Sequence, residues 1–115
     1  MTIANFIANW INKRNNFDMG YGPQCVDLVK QWEHDNGWSI TMGNAIDYAG
    51  RKYPGYRWVE NDPHNLNQYP PTGAIVVFRT GNWGHVGICE IANGRRIVLF
   101  SQCWPKATNL SNSGK

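Results

Sequence analysis

At 115 residues, with a 42% hydrophobic and 17% charged composition, the chain is long enough for one domain with a core and too apolar for a disordered segment. Its net charge of +3 comes with no basic stripe, only doublets such as Arg51-Lys52 and Arg95-Arg96, which argues against a nucleic-acid footprint and suits an anionic polymer. No stretch approaches a transmembrane length, and the start Met1-Thr2-Ile3-Ala4-Asn5-Phe6 lacks the regions of a signal peptide, so neither is expected.

Ile3, Phe6, Ile7, Trp10 and Ile11 repeat at i, i+3, i+4, i+7 and i+8, which predicts an amphipathic helix stopping near Asn15-Asn16. Asn16 to Gly22 reads as a loop. Pro23-Gln24 opens a second helix, with Cys25, Leu28, Val29 and Trp32 on one face and Asp35-Asn36-Gly37 as its stop. A third, short helix is predicted over Gly43 to Ala49. Tyr56 to Val59 is a candidate strand, and Asn61 to Thr72 is a polar connection containing prolines. Ile75 to Phe78, His85 to Ile91 and Arg96 to Gln102 read as strands, the last two joined by a tight hairpin at Asn93-Gly94. Helices followed by an antiparallel sheet make the class α+β. Residues 106–115 are polar and patternless, and are expected to form a disordered tail behind a folded domain of residues 1–105.

The cysteines are Cys25, Cys89 and Cys103, an odd number without CxxC or zinc spacing, so no disulfide scaffold is expected. Cys25 falls in the first turn of the second helix, where unpaired N–H groups and the positive end of the helix dipole favour thiolate. An adjacent imidazole can lower the thiol pKa further and hand a proton to a leaving group, and N–H groups at the helix start can face a developing oxyanion. From position alone Cys25 could equally be a core cysteine; for Cys89 and Cys103, in or beside strands, the core reading leads. Of the histidines, His34 falls on the polar side of the helix and His64 in the connection. His85 follows the turn-like Gly81-Asn82-Trp83-Gly84 and opens an apolar strand, from where its ring can meet a helix end.

Tyr21-Gly22, Gln24-Cys25-Val26-Asp27, Gly43-Asn44-Ala45, Gly73 to Phe78, Gly84-His85-Val86-Gly87-Ile88 and Ser101-Gln102-Cys103-Trp104 occur in one order along most of the chain. In this the sequence resembles the CHAP domains, the cysteine, histidine-dependent amidohydrolases and peptidases. The resemblance implies a papain-like (NlpC/P60-type) α+β core with N-terminal helices packed on an antiparallel sheet. It implies a peptidoglycan hydrolase, either an N-acetylmuramoyl-L-alanine amidase or a stem or cross-bridge endopeptidase. Cys25 is then the nucleophile of an acyl-enzyme route and His85 the base and acid. Tyr21, Gln24, Trp83 and Trp104 are the implied substrate contacts. The expected partner is bacterial peptidoglycan, bound by a monomer with no nucleic-acid or membrane partner. A phage-encoded lysin made in the host cytoplasm and acting on the wall after release, or as part of a virion, fits the missing signal peptide.

The sequence departs from the family at the third catalytic position. Where the family carries an acid and, two residues on, an asparagine to orient the histidine, this chain has Ser101 and Cys103. Ser101 can still accept a hydrogen bond from the imidazole, but a neutral orienter stabilises imidazolium less. The alternative reading is therefore a catalytically weakened module that binds muropeptide through its aromatic groove. The chemistry requires no cofactor. Some relatives bind calcium before the cysteine, and Asn16, Asp18 and Asp27 stand at comparable spacing, a thin set for a hard cation.

Overall fold

In the computed structural model, which describes residues 1–17, 25–50, 55–62, 64–79, 82–93, 95–102 and 110–114, helix α1 covers Ile3–Trp10. The Thr2 hydroxyl caps it by accepting from the Asn5 N–H at 3.2 Å. The helix ends a turn earlier than the apolar repeat suggests. Ile11 is its C-cap, and Asn12 takes a left-handed φ of 61°, which asparagine tolerates better than most residues.

Helix α2 covers Cys25–Asp35; the Pro23-Gln24 start read from sequence lies outside the described residues. Its stop is as expected. Gly37 adopts φ 72°, and the Trp38 N–H reaches back to the Glu33 carbonyl at 2.8 Å. The third helix is only a 3-10 turn, Ala45–Tyr48, held by the Asp47 carboxylate, which accepts from the Asn44 N–H at 2.9 Å.

Four strands, β1 (Ile75–Phe78), β2 (His85–Asn93), β3 (Arg96–Ser101) and β4 (Leu110–Gly114), form an antiparallel sheet in that spatial order. Asn93 faces Arg96 across the hairpin, and its side chain accepts from the Arg95 N–H at 2.9 Å. The β2–β3 register slips between Cys89 and Ile91, leaving Glu90 as the extra residue of a bulge. The Thr72 hydroxyl pins that bulge by donating to the Glu90 carbonyl at 2.9 Å.

Two expectations are corrected. Tyr56 to Val59 is not a strand: its side chains are tied individually instead of its backbone joining a ladder. The Trp58 indole N–H donates to Glu60 at 2.8 Å, and the Arg79 guanidinium, paired with Glu60, sits 5.6 Å above the Trp58 ring. The polar tail is not wholly without structure, because Leu110–Gly114 pairs with β3 from Ser101↔Leu110 to Ile97↔Gly114. Backbone pairing makes that ladder, so an apolar pattern was not needed to build it.

One core joins helices and sheet. Phe6, Val26, Leu28, Val29, Trp32, Ala45, Tyr48, Val86, Ile88 and Phe100 are buried together. Phe6 meets Trp32 edge-on at 5.1 Å and Phe100 at 6.2 Å. The Trp32 indole N–H donates to the Gly73 carbonyl at 3.0 Å, and the Gly73 N–H donates to the Cys89 carbonyl at 2.7 Å. The later turns of α2 are thereby pinned beside the start of β1, and the helix packs mainly against β2.

Glu33 is fully buried in α2. Its carboxylate accepts from Tyr56 Oη at 2.6 Å and from the Thr41 N–H and hydroxyl at 3.1 Å. Burial nevertheless holds its pKa above the usual carboxylate range, and both burial and the adjacent carboxylate push the Tyr56 phenol up. Tyr56→Phe is expected to cost about 1.5–3 kcal/mol, the range for a charge-assisted hydrogen bond, in a urea melt.

Candidate active site

Cys25 is the first residue of α2, half-buried, and it packs at the margin of the core cluster. Asp27, in the same first turn, is fully buried. His85 is the first residue of β2 and is 3% exposed. Burial lowers its pKa to about 4, so the imidazole is neutral at pH 7 and a weaker proton acceptor than a solvated one. Phe78, its partner on β1, holds its ring 6.4 Å away, tilted by 31°.

The turn before His85 is rigid. The Ile46 N–H, at the 3-10 helix, donates to the Trp83 carbonyl at 2.7 Å. Gly84 follows with φ 71°, and a Cβ there would lie 2.8 Å from Ile46 N and 2.9 Å from Phe78 O. Both obstacles are backbone, and an L-residue is strained at this φ besides. Gly84→Ala is therefore expected to lower stability by about 1–3 kcal/mol and to move His85, reducing turnover more than substrate affinity. Thermal unfolding and a kcat–KM comparison would check this; wild-type values for both would refute it. Trp83 itself is 67% exposed, a large ring held in solvent by an anchored backbone next to the imidazole.

Strand alternation decides which side chains accompany His85. Val86 and Ile88 face the core, whereas His85 and Gly87 face the other side. Ile88 pairs with Phe100, so the register sets Gly87 opposite Ser101. A Cβ on Gly87 would lie 3.0 Å from Ser101 Cβ, so the serine fills the space that Gly87 leaves and sits diagonally next to His85 on the same face. Ser101 is 1% exposed, and its hydroxyl has no hydrogen-bond partner among the described residues. Phe78 and Gly87 were not singled out from sequence. Period-2 alternation on β1 and β2, paired across the strands, is the signal that finds them.

Tyr21, Gln24, Cys103 and Trp104 lie outside the described residues. So does Asp18, while Asn16 is exposed and Asp27 buried; among the described residues no three His, Cys, Asp or Glu side chains gather to hold a metal. A cleft lined by Met1, Ile3, Trp32, Trp38 and Gly73 lies at the C-terminal half of α2. His34 and His64 are exposed.

The family model of the CHAP domain matches residues 14–103, which include Cys25, His85 and Ser101. The chain belongs to the CHAP domain family. This CHAP domain is 35% identical over 89 residues to endolysin PlyTW of Staphylococcus phage Twort, a match covering 72% of the chain and 18% of that relative. A crystal structure of wild-type endolysin LysIME-EF1 superposes with a TM-score of 0.70 at 21% identity, over 98% of this chain and 57% of that one. The superposition establishes the fold, helices packed on a small antiparallel sheet, for this CHAP domain. The chain spans less than two thirds of both relatives' lengths. Among the described residues no helix is long and apolar enough to cross a membrane.

Proposed function

We propose that this CHAP domain hydrolyses an amide bond of bacterial peptidoglycan, with Cys25 as nucleophile and His85 as base and acid. The observation that carries the reading is the placement of the two groups: a half-buried thiol opens α2, a buried neutral imidazole opens β2, and α2 packs against β2. The family and the endolysin relatives support the same reading.

In the proposed reaction His85 takes the Cys25 proton and the thiolate attacks the amide carbonyl carbon. N–H groups of the first turn of α2 face the resulting oxyanion. The imidazolium protonates the departing amine as the C–N bond breaks, leaving a thioester on Cys25. Water, deprotonated by His85, then attacks the thioester, releasing the carboxylic acid and the thiol. Ser101 stands where the family carries an acid, and turning its hydroxyl onto a ring nitrogen would orient the imidazole without stabilising its charge. Trp83 offers a face on which a sugar or peptide group can stack, with Tyr21, Gln24 and Trp104 as further substrate contacts. The scheme needs no cofactor, and it operates in a single chain acting on the wall as part of a phage lysin.

The test is release of soluble fragments from purified peptidoglycan, with the products identified by mass spectrometry, in EDTA and in added calcium. A new amine and carboxyl end would name the bond. Stimulation by calcium would bring Asn16, Asp18 and Asp27 back as ligands. Binding to the polymer with no release under any condition would favour the muropeptide-binding module, the reading that the uncharged Ser101 motivates.

A further inference from the structure

Gln102 directly follows β3, is fully buried and faces the opposite way from Ser101. Its Oε1 accepts from the Asn15 N–H at 2.9 Å and its Nε2 donates to the Asn15 carbonyl at 2.8 Å. The side chain thus pairs with the Asn15 main chain as a neighbouring strand would. Asn15 passes the link on: its Nδ2 donates to Gln31 Oε1 at 3.2 Å, and Gln31 Nε2 donates to Asp35 Oδ1 at 2.8 Å. Gln31 and Asp35 both belong to α2. A hydrogen-bond relay, buried at Gln102 and Asn15 and part-buried at Gln31 and Asp35, therefore joins the end of the strand carrying Ser101, through the loop that leads from α1, to the helix that begins with Cys25.

We propose that Gln102 is a positioning residue, which by clasping the Asn15 main chain sets the spacing between the Cys25 helix and the sheet end that holds His85. The role rests on the hydrolase reading above. A carboxamide suits the position because it offers a donor and an acceptor in one plane. A carboxylate there sets negative charge against the Asn15 carbonyl, whereas a protonated carboxyl restores one donor and one acceptor. Methionine fills a similar volume and supplies neither bond.

The experiment compares wild type, Gln102→Met, Gln102→Glu and Tyr56→Phe as full chains, each at a temperature where circular dichroism shows it folded. It measures kcat and KM on a soluble peptidoglycan fragment, and the pH profile of Cys25 alkylation by iodoacetamide, followed at that residue by peptide mass spectrometry. Tyr56→Phe weakens the fold through the Glu33 network and serves as the stability control. Gln102→Met is expected to lose roughly 10- to 100-fold in kcat, with KM little changed and the alkylation profile shifted. Tyr56→Phe shows neither change. Gln102→Glu is expected to be impaired at alkaline pH and to recover towards wild type as the pH falls and its buried carboxyl takes up a proton. Wild-type kcat in folded Gln102→Met, or an equal loss in Tyr56→Phe, overturns the role of Gln102 alone. Should Gln102→Met not fold, the glutamate variant decides: a pH profile parallel to wild type overturns the role. Wild type without activity and with an unreactive Cys25 overturns the hydrolase reading, and this role with it.

Discussion

Cys25→Ala is expected to abolish release of soluble peptidoglycan fragments, by on the order of 10⁴-fold or more, while leaving the fold in place. The size of the loss follows from the acyl-enzyme route, in which every turnover passes through the Cys25 sulfur. No other described residue can substitute for it. Cys89 is fully buried, bonded through its thiol to the Pro70 carbonyl at 3.7 Å, and burial and the Glu90 charge push its thiol up, away from thiolate. The fold survives because Cys25 borders the core and does not fill it; the change should cost at most about 1 kcal/mol. Fragment release, far-UV circular dichroism and a thermal melt of the two proteins would check both halves. Full activity in the alanine variant would remove Cys25 from the mechanism, and an unfolded variant would make its role structural.

The second large effect belongs to His85 and has a kinetic and a thermodynamic side. His85→Gln is expected to lower kcat by about 10²–10⁴-fold, the usual contribution of a general base. The thermodynamic side follows from burial, which lowers the folded-state pKa from 6.5 to about 4. Between those values the unfolded chain carries a proton that the folded chain refuses, so acid favours unfolding. Stability is complete above about pH 6.5 and declines as pH falls towards 4, by about 3 kcal/mol for a displacement of this size. Glu33 and Glu90 work in the other direction. Burial raises both, so each regains stability as the pH falls and its carboxyl becomes neutral. The His85 contribution is therefore read from the difference between wild type and His85→Gln in urea melts from pH 7 to pH 4. Parallel curves would mean that the imidazole titrates normally in the folded protein.

Much of this architecture was readable from residue order. Leu28, Val29 and Trp32 repeat at helical spacing and Gly37 ends the run, so α2 and its stop were legible, as was the hairpin at Asn93. Cys25 and His85 stood out because each residue type occurs beside a glycine-containing turn at the start of an element. Other features depend on distant partners. Tyr56 to Val59 has the aromatic and branched composition of a strand, but Glu33 and Arg79 hold its side chains. Leu110–Gly114 pairs through its backbone, which composition does not reveal. The clasp between Gln102 and Asn15 spans 87 positions and leaves no local trace. Glu33 did leave one, since Val26, Val29 and Glu33 share a stripe at spacings of three and four, marking a carboxylate on the buried face.

The close contact between Gly87 and Ser101 has an evolutionary consequence. With the two positions sharing one volume, their substitutions are coupled: a side chain at 87 is admissible only if 101 shrinks or the two strands part by a few tenths of an ångström. In a deep mutational scan, nearly every single replacement of Gly87 should be depleted, and alanine at 87 should reappear together with glycine at 101. A library meant to raise turnover by enlarging residue 101 towards a charged orienter should hold 87 as glycine, because the room for the larger side chain is the room that glycine vacates.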